Sequence, residues 1–275
     1  MRTKRALASG ICFSGGICSN DDVGYAMRWC RRCGWLLLLA ACMAVSQGRA
    51  EETPVSLNFV VGPAASGGAK APANKVADAA NVVVWLTPLE GSAAEAALPT
   101  EPRKQAQIVQ RHKTFEPHVL VVPVGTKVQF PNQDPFFHNI FSLYDGKRFD
   151  LGLYEAGSAR SVVFGRRGVS FLFCNIHAEM SAVVVAVDTP YFGLSDHAGN
   201  VTIRNVPSGR YELNVWYERG RPEQLRELNK VVTISDASRN LGVIHIVEDP
   251  DFTAAHKNKY GQEYVPPPKS DYDHR

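Results

Sequence analysis

Apolar and polar positions alternate along Thr126–Phe130 ("TKVQF"), Val201–Arg204 ("VTIR") and Tyr211–Val215 ("YELNV"). A period of two sends successive side chains to opposite faces, so each stretch predicts a strand. Val119–Val122 and Ala182–Val187 are continuous apolar runs rich in β-branched residues and also read as strands. Turn chemistry separates the runs at Pro123-Val124-Gly125, Gly165–Gly168, Asp196–Asn200 and Pro207-Ser208-Gly209. Only Pro222–Asn229 predicts a helix, and a brief one. Many short strands with such turns imply all-β sandwiches rather than an α/β enzyme. Residues 62–80 are a small-residue stretch of low complexity, and the tail from Asp249 ends in Pro266-Pro267-Pro268 among charged residues and tyrosines. Neither composition buries much surface; the first is expected as a mobile loop and the second as an arm that is partly ordered or disordered.

The N-terminal segment has another character. Arg28, Arg31 and Arg32 precede an apolar run from Trp35 to Val45, and Gly48-Arg49-Ala50 gives a small-x-Ala site before Glu51. That is the order of a secretory signal, and the run falls short of the roughly 20 residues a membrane span needs. The expectation is a start at Met27, cleavage after Ala50, and an exported, periplasmic chain with no membrane span. Leu39-Ala40-Ala41-Cys42 offers the alternative of a lipid anchor at Cys42, which would hold the protein at a membrane surface. Cys30 and Cys33 have the spacing of a redox pair but lie in the charged start of the leader, not beside a βαβ pattern.

Charge changes the picture only by subtraction. Residues 1–50 hold seven Lys/Arg and two Asp/Glu, so losing them takes the net charge from +3 to 3 − 5 = −2. A near-neutral chain gives no ground for a nucleic-acid partner. The remaining residues, about 225, suffice for one large or two small cores.

The sulfur distribution carries the chemistry. Cys12, Cys18, Cys30, Cys33, Cys42, Met1, Met27 and Met43 all precede residue 44; beyond them Cys174 is the only cysteine and Met180 the only methionine. Both belong to "CNIHAEM", which spaces Cys174, His177 and Met180 at intervals of three. With eight His in the chain, a His at +3 is about a one-in-thirty accident and the sole Met at +6 about one in two hundred. A second imidazole is best supplied by His138, which follows the strand Thr126–Phe130 through "PNQDPFFHN", a loop with Pro131, Asn132, Asp134 and Pro135 as turn formers and Phe136 and Phe137 as an apolar wall. Two imidazoles, a thiolate and a weak thioether favour copper; zinc gains little from the thioether, and a hard cation needs carboxylates. His112, His118, His197, His245, His256 and His274 show no paired spacing and read as solvated or hydrogen-bonded residues.

"VLVVPVGTKVQFPNQDPFFHNIFS" and "GVSFLFCNIHAEMSAVVVAV" together resemble the two ligand-bearing segments of the cupredoxins, and Cys-x-x-His-x-x-Met is most similar to the amicyanin spacing among plastocyanin-like proteins. The resemblance covers roughly residues 102–189. It implies a Greek-key β-sandwich holding one type 1 copper on His138, Cys174, His177 and Met180. It further implies that Asn139 ties the two ligand loops together, with a backbone N–H toward the thiolate, and that His177 is the port for electrons, flanked by Ile176 and Pro135-Phe136-Phe137. "SDHAGNVTIRNVPSGRYELNVWYE" is similar to carboxypeptidase regulatory-like, transthyretin-like β-sandwich modules, and "ANVVVWLTP" resembles an earlier strand of one. The expected organisation is a leader over 1–50, N-terminal strands over 51–101 that join the second sandwich, the cupredoxin over 102–189, a smaller sandwich over 190–248 and a tail over 249–275.

These expectations describe a non-enzymatic carrier of single electrons between a redox protein donor and acceptor. A copper chaperone or store would show further Met- and His-rich sites, yet only one Met remains past the leader. A scaffold with an incidental copper site is the other alternative, kept by the second sandwich and the long tail. Multicopper oxidase chemistry would need clustered histidines, and no His-x-His occurs.

Overall fold

Alternating patterns become strands wherever one face has a core to cover, and the chain builds four such faces. The computed structural model describes residues 53–63, 78–89, 106–143 and 146–264, all within a unit spanning Ala50–Arg275. The leader with Met27, Cys42 and the cleavage site, most of the small-residue loop, and the chain end with Pro266–Pro268 and His274 lie outside the described residues. In chain order the strands are β1 (Val55–Gly62), β2 (Val83–Pro88), β3 (Ala106–Gln107), β4 (Val109–Arg111), β5 (Thr114–Glu116), β6 (Val119–Pro123), β7 (Thr126–Pro131), β8 (His138–Ser142), β9 (Phe149–Tyr154), β10 (Ala159–Phe164), β11 (Gly168–Phe173), β12 (Ser181–Val187), β13 (Phe192–Leu194), β14 (Asn200–Ile203), β15 (Gly209–Trp216), β16 (Lys230–Ile234) and β17 (Asn240–Val247). One helix, α1 (Pro222–Glu227), precedes β16 and starts with proline at its first turn. No helix among the described residues is long and apolar enough to cross a membrane.

Two sandwiches result. In one, the sheet β14-β1-β17 packs on β13-β2-β15-β16. Val55, Leu57, Phe59 and Val61 alternate inward from β1 to meet Val84 and Leu86 of β2 and Tyr211, Leu213 and Val215 of β15. In the other, β10-β7-β3 packs on β6-β12-β11-β8-β9, with Val128 and Phe130 of β7 facing Ile140 of β8, Leu172 of β11 and Val184 of β12. The strands from residues 55–88 thus pair with those from residues 192–247, around the segment that folds as the second sandwich.

The continuous runs have a physical reason. Even-numbered Ala182, Val184 and Ala186 of β12 enter the second core, while Val183, Val185 and Val187 pack with Val83, Trp85, Phe192 and Trp216 of the neighbouring sandwich. β2 is two-faced in the same way, with Val84 and Leu86 turned one way and Val83 and Trp85 the other. Strands covered on both faces lose their polar alternation. The sheets therefore stack four deep, and the strand leaving the "CNIHAEM" loop lies in an interior layer.

Two details fix the stack. Gly199, in the turn before β14, has φ +81°, and a Cβ there would lie 1.9 Å from the Phe59 carbonyl oxygen, so only glycine lets this turn seat against β1. His118, just before β6, places Nδ1 3.1 Å from the Ser181 carbonyl of β12 and Nε2 2.6 Å from the Glu218 carboxylate of the other sandwich. Both are acceptors, so the doubly protonated imidazolium satisfies them together. The bond to Glu218 raises the His118 pKa above its ordinary value against the opposing effect of burial, with the Glu218 charge and the Ser181 carbonyl adding to the rise.

A folded-state pKa above the unfolded one contributes stability that is complete below the ordinary value of 6.5 and is lost as pH climbs through the raised value. We expect His118→Gln to lower the unfolding temperature more at about pH 5.5 than at about pH 9. Thermal unfolding of both chains followed by circular dichroism checks this; a difference that does not vary with pH would show His118 to be uncharged in the fold.

Candidate metal centre

Strand pairing brings the two ligand-bearing segments of the sequence to one end of the second sandwich. Phe173 of β11 lies opposite Phe141 of β8, and the two strands are antiparallel, so the His138 end of β8 adjoins the loop that follows β11. That loop, Cys174 to Met180, closes the β11–β12 hairpin through Cys174 N–H to the Met180 carbonyl (3.2 Å) and Met180 N–H to the His177 carbonyl (3.2 Å). Cys174 and Met180 are fully buried in the core beneath it, and Cys174 is a free thiol.

His138, Cys174 and His177 converge: one donor atom from each lies within 4.8 Å of the others. Cys174 Sγ is 3.5 Å from His177 Nδ1 and 3.9 Å from His138 Nδ1, and the imidazoles meet edge to face with centroids 4.8 Å apart. A cation bonded to sulfur at about 2.3 Å and to nitrogen at about 2.0–2.1 Å, at trigonal angles, would hold the two donors about 3.8 Å apart. The two observed sulfur–nitrogen spacings bracket that value, so each imidazole sits at a distance from the sulfur that a shared metal would need. Met180 is fully buried in the same apolar core as Cys174.

The sulfur has further partners. Burial pushes the Cys174 thiol up, and the backbone N–H groups of Asn139, Ile176 and His177, aimed at it, pull in the opposite direction. Burial also lowers the His177 pKa, aided by the nearby His138 and Lys113 charges. A site that disfavours charge on an isolated thiol and on an isolated imidazole is suited to a thiolate and neutral imidazoles around a cation.

His138 is held from behind by a group that sequence reasoning missed. Asp134, read there only as a turn former, is buried and places Oδ2 2.8 Å from His138 Nε2. It also accepts the N–H groups of His112 (2.7 Å) and Lys113 (3.0 Å), the two residues of the β4–β5 turn, whose φ values of 55° and 56° are left-handed. Burial raises the Asp134 pKa, but the bonds from Lys113, His138 and His112 outweigh it and hold the carboxyl below its ordinary value. With Nε2 engaged, Nδ1 is the nitrogen left to face the sulfur. The only signal in the sequence was the Asp-to-His spacing of four.

Asn139 sends its backbone N–H to the sulfur, but its side chain does not reach the second loop. Nδ2 donates instead to Asp150 of β9 (2.7 Å), across a bulge in the β8–β9 pairing. Phe136 flanks both imidazoles, with centroids 5.1 Å from His138 and 5.7 Å from His177. Phe137 and Ile176 are exposed, at 56% and 45%, while His177 is half-buried between them and the core. His118 and His197 make hydrogen bonds away from this cluster, His256 stacks on Phe173 next to Cys174 without joining the donor set, and His245 is exposed.

No protein-family model matches the chain, and no curated protein matches it. Among solved structures it is similar to a purple cupredoxin from Nitrosopumilus maritimus, at 28% identity over 30% of this chain and 100% of that one, with TM-score 0.28. It is similar to a copper-containing nitrite reductase from Thermus scotoductus SA-01, at 21% identity over 37% of this chain and 28% of that one, with TM-score 0.30. A Cu(I) form of an amicyanin variant is 20% identical over 38% of this chain and 98% of its own length, with TM-score 0.29. The reading of the site rests on the donor set rather than on these likenesses.

Replacing Asp134 with alanine strands the buried His138 Nε2 donor and two part-buried backbone N–H groups, and frees the His138 ring. We expect Asp134→Ala to destabilise the fold by about 2–4 kcal/mol, and Asp134→Asn, which retains one acceptor oxygen, to cost less. Urea unfolding of the two variants measures the order; equal stability in Asp134→Ala and the parent chain would remove Asp134 from the support of the site.

Proposed function

We propose that this chain is an exported copper protein that carries single electrons, with one copper held by His138, Cys174, His177 and the Met180 thioether. The observation that carries the reading is the convergence of one thiol and two imidazole nitrogens at trigonal spacing around a buried point. Copper bound there would supply a one-electron couple. Full burial of Cys174 and His138 keeps water from the sulfur, and the N–H groups of Asn139, Ile176 and His177 fix its position whether or not the metal is present. The half-buried His177, between exposed Ile176 and Phe137, is the side of the site that a redox protein would approach. The neighbouring sandwich, read as a carboxypeptidase regulatory-like module, would serve as the platform. A copper chaperone or a scaffold with an incidental site remains the competing reading; a chaperone would release copper to a partner, whereas a carrier keeps it in both oxidation states.

Titration of the purified apo protein with Cu(II) should saturate at one copper per chain, with an intense thiolate-to-copper absorption band and a matching EPR signal, both lost in Cys174→Ala. A chain that shows no such band, or a Cys174→Ala variant with an unchanged spectrum, would overturn the assignment. Ile176→Lys should leave the spectrum in place and slow electron exchange at matched ionic strength; an unaltered rate would put the docking surface elsewhere.

A further inference from the structure

The tail, expected as an arm partly ordered or disordered, lies over its described residues 249–264 against the metal loop. It leaves β17 with the Asp249 N–H on the Arg219 carbonyl (2.7 Å) and lays the His256 ring on Phe173, the residue before Cys174, at a centroid distance of 4.2 Å. It then forms a tight turn in which Asn258 Oδ1 accepts the N–H groups of Tyr260 (2.9 Å) and Gln262 (3.1 Å), with Gly261 at φ +78°. That turn sets two residues against the loop. The Lys259 N–H donates to the Asn175 side chain (3.0 Å), and the Tyr264 hydroxyl donates to the Cys174 carbonyl. Lys259 Nζ also reaches Asp150 Oδ2 (2.7 Å), and Asp150 Oδ1 accepts the Asn139 amide (2.7 Å).

These bonds form a closed ring around the ligand. It runs from the Cys174 sulfur to the Asn139 N–H, from the Asn139 side chain to Asp150, on to Lys259, to Asn175, and through the peptide bond back to Cys174. Beside the direct Asn139 N–H bond to the sulfur, the side-chain tie between the two ligand segments thus passes through the arm. We propose that residues 249–264 are a working part of the metal centre, with Lys259 and Tyr264 as positioning residues that fix the Cys174-Asn175 backbone and so the direction of the sulfur. The loop has only two backbone hydrogen bonds of its own, and the arm adds two more at the ligand end. None of the arm residues belongs to the three apolar cores, so their removal spares the scaffold. The proposal rests on the copper reading for its spectroscopic consequence and not for its mechanical one.

Two readouts keep those apart. In the apo protein, amide hydrogen exchange of residues 174–180 should quicken by at least about tenfold in a chain ending at Asp251, and by less in the double variant Lys259→Met with Tyr264→Phe, while exchange in β1 and β15 is unchanged. In the copper-loaded protein, the same changes should shift the thiolate-to-copper band and the EPR parameters, and Lys259→Arg should restore the parent spectrum in a chain that keeps Tyr264. Should the shortened chain fail to fold by circular dichroism, the double variant decides alone. Unchanged exchange of the loop in both variants overturns the proposal. Failure of the intact chain to bind copper overturns the reading of the site, and the exchange result still decides whether the arm holds the loop.

Discussion

A sulfur sealed from water, which the proposed copper would require to bear charge, is the constraint around which this end of the molecule is organised. An uncompensated thiolate in an apolar core would cost several kcal/mol, so the atom needs oriented donors and a cation. The chain provides the donors from backbone N–H groups, that of Asn139 on β8 and those of Ile176 and His177 in the loop itself, which need no side-chain rotamer ordering. That arrangement requires β8 and β11 to sit side by side with their ends in register, and the Phe141–Phe173 pairing achieves it. The imidazoles then close the remaining sides, one locked from behind by Asp134 and the other at the surface.

The second requirement is a floor that does not move. β12 leaves the loop and is immediately buried on both faces, with Val183, Val185 and Val187 against the other sandwich and Ala182, Val184 and Ala186 in the core under the site. Each fully buried valine contributes on the order of 1.5–3 kcal/mol relative to exposure, so the interior layer is held far more firmly than an outer sheet with one wet face. His118 joins the same strand start to Glu218 of the neighbouring sandwich. The smaller sandwich therefore acts mechanically on the site: without Val83, Trp85, Phe192 and Trp216 the outer face of β12 would be wet and apolar.

Local chemistry was legible in the sequence and distant partnership was not. Period-two alternation located β7, β14 and β15 because each covers one core, and the loop Cys174–Met180 was plain because its donors are close in sequence. β9 and β10 left no comparable pattern: six of their twelve residues are exposed and a glycine with φ +67° interrupts β9, so neither presents a regular apolar face. Asp134 looked like any turn-forming aspartate, since its value lies in facing His112, Lys113 and His138 at once. The contacts of the arm were hidden for the same reason. Its lysines, asparagine and tyrosines resemble a solvated tail, and their partners Asn175, Cys174 and Asp150 lie 84, 90 and 109 residues away.

A seven-residue loop carrying three donor side chains has an intrinsic difficulty. Backbone entropy of about 1–2 kcal/mol per residue favours many shapes, and a displacement of about 1 Å is enough to spoil a ligand set. The loop's own two backbone bonds join residue 174 to 180 and 177 to 180, and its Ile176 and His177 N–H groups add to the hold on the sulfur. The other restraints on the peptide after Cys174 come from elsewhere in the chain, from β8 through the Asn139 N–H and from the arm through the Cys174 carbonyl and the Asn175 side chain. The geometry of the sulfur is thus a tertiary property. It follows that sequence changes in the arm, far from the donor set in the chain, act on the same coordinate as changes in the loop itself.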